Sequence, residues 1–232
     1  MPGVQLVEVV RHLSHIPLFE TLAPKELGRM AKGTREVRMA KGRVLFRKGD
    51  APTGFYVLID GQIKLALSST QGIEKVVEII QPGQSFGEAT MFSEKPYVVF
   101  AEALNQSIVL HVSKAAIDEE LQDNHEFAKK LLAGMAMRSY DRMTYVEANS
   151  LQSGTQRFIS FITTKLSDSQ DGDESAALEL PAPKRVIASC LNLTPEHFSR
   201  ILHDLGRLGL IVVEGRRISI PSVPKLKNHH LE

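Results

Sequence analysis

The chain has 232 residues, 43 % of them hydrophobic and 24 % charged, which are the proportions of an ordinary globular protein. Its 28 Lys and Arg residues against 27 Asp and Glu give a net charge of +1, so the overall balance does not indicate a nucleic acid or membrane partner. The single cysteine, Cys190, excludes an intramolecular disulfide and any zinc or iron–sulfur site that needs four cysteines. No apolar run approaches the roughly 18 residues of a membrane span and no signal peptide is evident, so we expect a cytoplasmic protein with no membrane partner.

The first half of the chain changes from a helical to a β pattern. Residues 4–33 have helical periodicity, and Pro24 is typical of the first position of a second helix. Short apolar runs separated by glycines then predict an all-β sandwich or barrel, with a hairpin around Gln71 and Gly72. These runs are 44–46, 55–59, 63–67, 76–80, 98–100 and 108–110.

Residues 113–149 contain no proline and predict one long helix. A narrow apolar seam at steps of three and four residues predicts a helix that pairs with its copy in a homodimer. A helix buried against its own barrel is the alternative, and both can hold at different heights. The seam consists of Ala128, Leu132, Met135, Ser139, Met143 and Val146.

The charge is unevenly distributed along the chain. Residues 181–232 contain eight basic and four acidic residues, a net charge of +4, whereas the first 180 residues carry −3. Residues 155–166 predict a short amphipathic helix, and the acidic segment 168–175 that follows is interpreted as a solvated loop. A basic end behind an acidic linker indicates a module that binds a polyanion, although a charge of this size also arises by chance.

Residues 184–220 predict a winged helix–turn–helix. A short helix at 184–190 precedes a turn at 191–193, and Thr194 followed by Pro195 is a typical helix start because threonine caps free N–H groups. The second helix has Phe198, Ile201, Leu202 and Leu205 on one face and a polar opposite face. Residues 211–220 predict the hairpin of the wing.

The polar face of this second helix has the chemistry of DNA recognition. Glu196, Ser199 and Arg200 share one face, and arginine can bond guanine while glutamate accepts from cytosine. A plain helical hairpin with a solvated charged face is the alternative. The residues predicted to contact phosphates are Lys184, Arg185, Thr194, Arg216 and Arg217.

Together these features resemble the cyclic AMP receptor protein/fumarate–nitrate reduction regulator (Crp/Fnr) family of bacterial transcription factors. The resemblance runs from residue 18 to residue 220, and its motifs lie at 18–19, 55–64, 82–88 and 195–200. It implies an α+β architecture with a jelly-roll (double-stranded β-helix) sensory domain, a dimerisation helix and a C-terminal winged helix–turn–helix. The corresponding ranges are 1–112, 113–149 and 150–230. The implied partners are double-stranded DNA, a second copy of the chain and RNA polymerase.

The chain departs from the family pattern at two places. The Arg-Ser or Arg-Ala pair that grips a cyclic phosphate in nucleotide-binding members is matched here by Tyr97 and Val98, although Glu88 persists. A buried phosphate without a cation would cost several kcal/mol, so we expect no cyclic nucleotide to bind. The four cysteines of the oxygen-sensing branch are absent as well.

The remaining resemblance is to the branch that regulates dissimilatory nitrate respiration. It implies an activator that senses nitric oxide through haem and binds a palindrome of TTGAT half-sites. His15 is the first candidate for the axial haem ligand, with His12, His111 and His125 as further candidates. An effector pocket is expected around Gly87, Glu88, Tyr97 and Met135.

Two other functions remain as alternatives. A cyclic-nucleotide-responsive regulator of the same family is the nearer one. A metal oxygenase of the cupin type is the other, since jelly rolls also carry such sites. Those sites need clustered histidines inside the barrel, and residues 35–110 contain no histidine, so we expect no enzyme.

Overall fold

The computed structural model describes residues 2–16, 19, 22–69, 72, 74–167 and 175–231. The chain divides into two compact units, Met1–Asp141 and Arg142–Glu232. The acidic segment 168–174, Gln71 and the side chain of Val146 lie outside the described residues. Within the described part of the chain, no helix is both long and apolar enough to cross a membrane.

The first unit begins with two short helices, α1 (Pro2–Ser14) and α2 (Pro24–Lys32). Pro24 occupies the first turn of α2, as predicted, and the backbone N–H of Ala23 donates to Glu26 Oε2 at 2.5 Å. These contacts satisfy N–H groups that have no partner inside the helix. Leu13 and Met30 are buried, so both helices present an apolar face to the interior of the unit.

Eight strands and one short helix then form a barrel. They are β1 (Thr34–Met39), β2 (Val44–Phe46), β3 (Gly54–Asp60), β4 (Ile63–Ser68), β5 (Glu74–Ile80), β6 (Ser85–Phe86), α3 (Glu88–Ser93), β7 (Phe100–Ala103) and β8 (Ser107–Ser113). Two four-stranded antiparallel sheets result, in the orders β1-β8-β3-β6 and β2-β7-β4-β5. The predicted jelly roll is confirmed, and β4 and β5 form the predicted hairpin.

One predicted strand begins later than expected. The apolar run 98–100 predicts a strand, but β7 starts only at Phe100. The backbone of Tyr97 is bonded instead to the 49–50 loop, since Tyr97 N donates to Asp50 O at 3.0 Å and Tyr97 O accepts from Gly49 N at 2.8 Å. These bonds turn Val98 outward, where its side chain is exposed, and the sheet ladder begins two residues further on.

Two apolar clusters fill the first unit. One joins α1 and α2 to β3 and β8 around Phe19, Phe55 and Met91. The other lies between the two sheets and contains Leu58 and Ile63.

The helical stretch expected as one helix is two, α4 (Lys114–Asp123) and α5 (His125–Leu151). Asn124 separates them with an extended backbone, φ −121° and ψ 90°. Its side-chain Oδ1 accepts from Phe127 N at 3.0 Å, which caps the start of α5. The break arises because asparagine satisfies the free N–H groups of a new helix better than it continues an old one.

The second unit contains a three-stranded sheet packed with helices. After α5 come α6 (Gly154–Ser167), β9 (Ala176–Glu179), α7 (Lys184–Cys190), α8 (Pro195–Arg207), β10 (Val212–Glu214), β11 (Arg217–Ile220) and α9 (Val223–Leu231). The hairpin of β10 and β11 was predicted, whereas β9, which follows the acidic segment and pairs antiparallel with β11, was not. Helix α9 was not predicted either. Phe158 and Phe198 meet edge to face at 5.1 Å in the core of this unit.

Replacing Leu58 with alanine tests the packing of the barrel interior. Its side chain is fully buried, so Leu58→Ala is expected to lower the free energy of unfolding by about 2–5 kcal/mol. Leu67→Ala makes the same chemical change at an exposed position of β4 and is expected to cost less than about 1 kcal/mol. Urea unfolding of both variants gives the comparison, and equal losses would contradict the described core.

Candidate functional site

The helix–turn–helix of the second unit is formed by α7, a tight turn and α8. Helix α7 ends at Cys190, and Asn192 in the turn has φ +57°, a left-handed conformation that asparagine tolerates better than most residues. Thr194 then caps α8, because its side-chain oxygen accepts from His197 N at 3.2 Å, and Pro195 occupies the first turn. The predicted turn and cap are therefore both present.

Helix α8 has one buried and one exposed face. Phe198, Ile201, Leu202 and Leu205 are buried, as predicted. The predicted base contacts Glu196, Ser199 and Arg200 are all exposed, and their spacing of three and four residues places them side by side. The structure thus presents a carboxylate, a hydroxyl and a guanidinium on one open helix face, near its N-terminal end.

The N-terminal end of α6 holds the turn and α8 from the inner side. A Cβ atom on Gly154 would lie 2.8 Å from Leu193 Cδ2 and 3.1 Å from Ile201 Cδ1, so a larger residue would require these side chains to shift. Arg157 donates to Gln152 O at 3.2 Å and to Asn192 O at 3.5 Å, which connects the start of α6 to the turn. The sequence analysis missed both residues. A glycine at a helix start is the only local signal for the first, and no local signal marks the second.

The predicted phosphate contacts differ in their surroundings. Arg185 and Arg217 are exposed and Lys184 is half-buried. Arg216 is exposed too, but its Nε donates to Glu179 Oε1 at 3.1 Å in an ion pair with β9. The hydroxyl oxygen of Thr194 already accepts from the backbone of α8, which leaves its hydrogen as the group that can be donated.

Three of the four predicted effector-pocket residues lie together in the barrel. Gly87 has φ +92°, and a Cβ atom there would lie 3.4 Å from the Tyr97 hydroxyl. Glu88 begins α3 beside them and is buried. Met135 lies on α5, half-buried, and is not among the side chains of the barrel cluster that contains Tyr97.

An aromatic stack fills the space around Tyr97. The rings of Tyr97 and Phe46 are parallel to within 13° with centroids 3.7 Å apart. Tyr56 stacks on Phe46 at 5.6 Å and on Phe86 at 5.4 Å. We call Phe46, Tyr56, Phe86 and Tyr97 the aromatic stack. The four rings pack against one another in the interior of the barrel.

Charges of both signs act on the stack. Burial, the neighbouring Tyr56 and the Glu88 carboxylate, with Asp50 beyond them, raise the pKa of the Tyr97 phenol, which therefore stays neutral. Burial also raises the pKa of Tyr56, and the positive charge of Arg35 opposes this effect. Burial, together with Arg35, lowers the pKa of His111, whose Nε2 lies 3.0 Å from Thr53 Oγ1. Acidic side chains therefore act on Tyr97, and a basic one acts on Tyr56 and His111.

His15, the predicted haem ligand, lies just after α1 and is exposed. Its Nδ1 is 2.6 Å from the carbonyl oxygen of Arg11, which can only accept, so Nδ1 carries the hydrogen. In the neutral ring Nε2 then keeps its lone pair, and this is the arrangement that metal-binding histidines use. The donor chemistry of His15 therefore fits an axial ligand.

The seam predicted on α5 is largely open. Leu132 and Met143 are 67 % and 71 % exposed, Ser139 is exposed, and Ala128 and Met135 are half-buried. Phe127 and Leu131, on the neighbouring face, are buried in the first unit. The first turns of α5 thus pack on their own barrel, as the second alternative has it, whereas pairing of the exposed seam with a second copy stays a prediction.

Two protein families match the chain, one for each unit. The family described as "Cyclic nucleotide-binding domain" matches residues 36–124. The family described as "Crp-like helix-turn-helix domain" matches residues 156–229. The first covers the barrel and α4, and the second covers the helix–turn–helix and its wing.

Relatives that match across both units give the same result. The "CRP-like cAMP-activated global transcriptional regulator" of Mycobacterium tuberculosis is 21 % identical over 92 % of this chain and 96 % of its own length. The "Anaerobic regulatory protein" of Aggregatibacter actinomycetemcomitans is 27 % identical over 83 % of this chain and 75 % of its own. The crystal structure of DNR from Pseudomonas aeruginosa is 35 % identical, with a TM-score of 0.50, over 94 % of this chain and 96 % of that one. The barrel, the helix–turn–helix and these relatives show that the chain belongs to the Crp/Fnr family, as a DNA-binding transcription regulator.

Proposed function

We propose that this regulator binds a palindrome of TTGAT half-sites as a homodimer, cooperates with RNA polymerase as an activator, and responds to nitric oxide through haem. The observation that carries the DNA part of this proposal is the open face of α8, where Glu196, Ser199 and Arg200 stand side by side. The relatives' printed names support a regulator of this general kind. Its effector and its target sequence are those that the resemblance to the nitrate-respiration branch implies.

The three side chains offer complementary hydrogen-bonding chemistry to base edges. An arginine guanidinium donates two parallel bonds to guanine O6 and N7, and a glutamate accepts from the cytosine amino group. A serine hydroxyl can do either. A TTGAT half-site paired with ATCAA contains one guanine and one cytosine in a single base pair, which suits one Arg200 and one Glu196.

Basic side chains outside α8 would fix the register on the duplex. Arg217 on the wing and Arg185 on α7 are exposed, and phosphate contacts from such positions orient a recognition helix without specifying sequence. Arg216 would have to leave Glu179 before contacting a phosphate. We therefore assign it a smaller share than Arg217.

The seam of α5 supports the homodimer. Exposed Leu132 and Met143 lie on one side of the helix, and leaving such side chains in water costs the free energy that their burial would return, about 25 cal/mol per Å². A second copy of the same helix buries them symmetrically, as in a coiled coil. A palindromic target matches this two-fold symmetry.

The surroundings of Tyr97 argue against a cyclic nucleotide as the effector. The resemblance places Tyr97 and Val98 where nucleotide-binding relatives have their phosphate-gripping pair. Tyr97 belongs to the aromatic stack, and the carboxylates of Glu88 and Asp50 lie near it. A cyclic phosphate at Tyr97 would have to displace packed rings and approach these two acidic side chains, and both effects oppose binding.

We favour haem bound at His15, rather than a cyclic nucleotide, as the group through which the protein senses its effector. The Nδ1 contact to Arg11 O fixes the ring orientation and leaves Nε2 as the electron-pair donor. A haem bound there would supply the iron that takes up nitric oxide. An effector of this kind acts by shifting an existing equilibrium between dimers that bind DNA well and poorly.

Replacing Arg200 with alanine tests the DNA assignment. Losing a bidentate contact to guanine costs about 1–3 kcal/mol, so Arg200→Ala is expected to weaken binding to the TTGAT palindrome by about 5- to 150-fold. Binding to a duplex of scrambled sequence should change little. Arg217→Ala is the matched control, since losing a phosphate contact weakens binding to both duplexes alike. Fluorescence anisotropy at fixed salt measures the affinities of the unchanged protein and both variants for the two duplexes, and equal losses for Arg200→Ala on the two duplexes would contradict base recognition.

A glutamate on the seam tests the homodimer. Leu132→Glu would bury two facing carboxylates in the dimer, and we expect sedimentation to show monomers at concentrations where the unchanged protein is dimeric. Met137→Glu provides the matched control, because Met137 is also exposed but lies about 140° around the helix from Leu132. Dissociation of both variants, or of neither, would argue against the seam.

Absorption spectroscopy tests the effector. Haem added to the purified protein is expected to give a saturable Soret band that shifts with nitric oxide, and His15→Ala should weaken haem uptake more than His12→Ala. Calorimetry with cyclic AMP and cyclic GMP at millimolar concentration should show no heat of binding. A saturable heat of binding for a cyclic nucleotide would favour the cyclic-nucleotide-responsive regulator. No saturable haem uptake would contradict haem as the cofactor.

A further inference from the structure

A polar cluster lies where α5 leaves the barrel. It contains Glu26 and Arg29 from α2, Glu120 from α4, and Asn124 between α4 and α5. We call these four residues the α5 joint. Each of them contacts at least one other member through a hydrogen bond, and all lie in the first unit.

Asn124 uses its whole side-chain amide in the joint. Its Nδ2 donates to Glu120 Oε1 at 2.9 Å and to Glu26 Oε1 at 3.2 Å. Its Oδ1 accepts from Phe127 N at 3.0 Å, which caps α5. The two amide hydrogens therefore join two carboxylates from separate helices, a role that only a side-chain amide of this length and orientation performs.

Glu120 makes the joint costly to rearrange. Its side chain is only 1 % exposed, and its other oxygen accepts from Arg29 Nη2 at 2.9 Å. A buried carboxylate that loses a hydrogen-bond partner is left with an uncompensated desolvation cost. The cluster therefore favours one arrangement of α2, α4 and the start of α5 over neighbouring ones.

The apolar side of the same helical turn is fixed as well. Phe127 is fully buried, and its ring stacks on Phe19 with centroids 6.0 Å apart. Phe19 in turn stacks on Phe55 of β3 at 6.4 Å. Polar and apolar contacts thus hold the first turn of α5 on two sides, while the rest of the seam is open.

We propose that Asn124 is a positioning residue that sets the direction in which α5 leaves the barrel, and through it the affinity for DNA. This inference rests on the proposed function, in which α5 forms the dimer. At 1.5 Å per residue, Tyr140 lies about 24 Å along α5 from Asn124, so a tilt of about 15° at the joint moves it by about 6 Å. A small change at the joint is therefore amplified along the seam.

Substitutions at Asn124 separate positioning from simple helix capping. Serine and aspartate are both good capping residues, so Asn124→Ser and Asn124→Asp each keep the bond to Phe127 N. Asn124→Ser loses the bonds to the two carboxylates, and Asn124→Asp adds a third carboxylate beside them. In the triple variant N124D/E26Q/E120Q, the new amides at positions 26 and 120 can both donate to the new carboxylate at position 124, while their oxygens still accept from Ala23 N and from Arg29 Nη2. The triple variant thus exchanges donor and acceptor in both bonds of the original amide.

The direction of α5 is measured with two spin labels inside the first unit. Cysteines replace the exposed residues Lys25 and Tyr140, Cys190→Ser removes the native thiol, and labelled chains are diluted with unlabelled ones. The unchanged joint is expected to give one narrow distance distribution. Asn124→Asp should shift or broaden it by about 5 Å or more, Asn124→Ser less, and N124D/E26Q/E120Q should restore it.

DNA affinity, measured on the unlabelled variants by anisotropy, is expected to follow the same order, with a loss of about tenfold or more for Asn124→Asp, equivalent to about 1.4 kcal/mol. If the distance distribution of Asn124→Asp matches that of the unchanged chain, or if N124D/E26Q/E120Q does not restore it, the positioning role is wrong. If the distance changes while DNA affinity does not, the link to DNA is wrong. Failure of the unchanged protein to bind the palindrome would instead overturn the proposed target, and the distances would still test the joint.

Discussion

Helix α5 has two apolar surfaces, and the first unit buries only one of them. Phe127 and Leu131 pack into the core beside Phe19, and their burial fixes the start of the helix. Leu132 follows immediately, with most of its side chain in water. Because apolar side chains at helical spacing are stabilised by a matching surface, this arrangement favours association. The start of the helix is therefore held in place while the seam stays exposed, and the dimer that we propose would bury the seam.

In contrast to the exposed seam of α5, the interior of the barrel around Tyr97 is packed with the chain's own side chains. The aromatic stack of Phe46, Tyr56, Phe86 and Tyr97 provides its own packing, where a ligand-binding barrel must keep space open. Close-packed interiors resist rearrangement, so a ligand would have to displace rings and lose their dispersion contacts. Gly87 supports this local structure, because its φ of +92° is a conformation that other residues rarely adopt.

Local patterns predicted the elements that local chemistry determines. The cap at Thr194, the buried face of α8 and the hairpin of the wing follow from residues close together in sequence, and the structure has all of them. The break at Asn124 was missed although the cap that it places on Phe127 N is local, because the absence of proline favoured one continuous helix. Only the bond from Asn124 to Glu26, 98 positions earlier in the chain, was beyond local patterns. Strand β9 was missed because its pairing with β11 joins Ala176 to Ile220, and no short window contains both.

The same limit applies to the candidate site. Sequence spacing placed the three base-contact residues on one face, because the period of a helix is known in advance. The contacts that hold the turn, from Gly154 and Arg157, depend on tertiary packing that periodicity does not describe.

The net charge of residues 181–232 overstates the charge that this segment can offer to DNA, because one of its arginines is already paired with a carboxylate. Its net charge of +4 counts Arg216 in full, but Glu179, which lies just before the segment in sequence, neutralises much of that charge on the surface. Each phosphate contact contributes to the salt dependence of binding through the counterions it releases. An arginine that must first leave a carboxylate contributes less than an exposed one such as Arg217. We therefore expect recognition of DNA by this unit to depend less on its total charge than on the contacts that hold α8 and its turn in place. Thr194, Gly154 and Arg157 make those contacts.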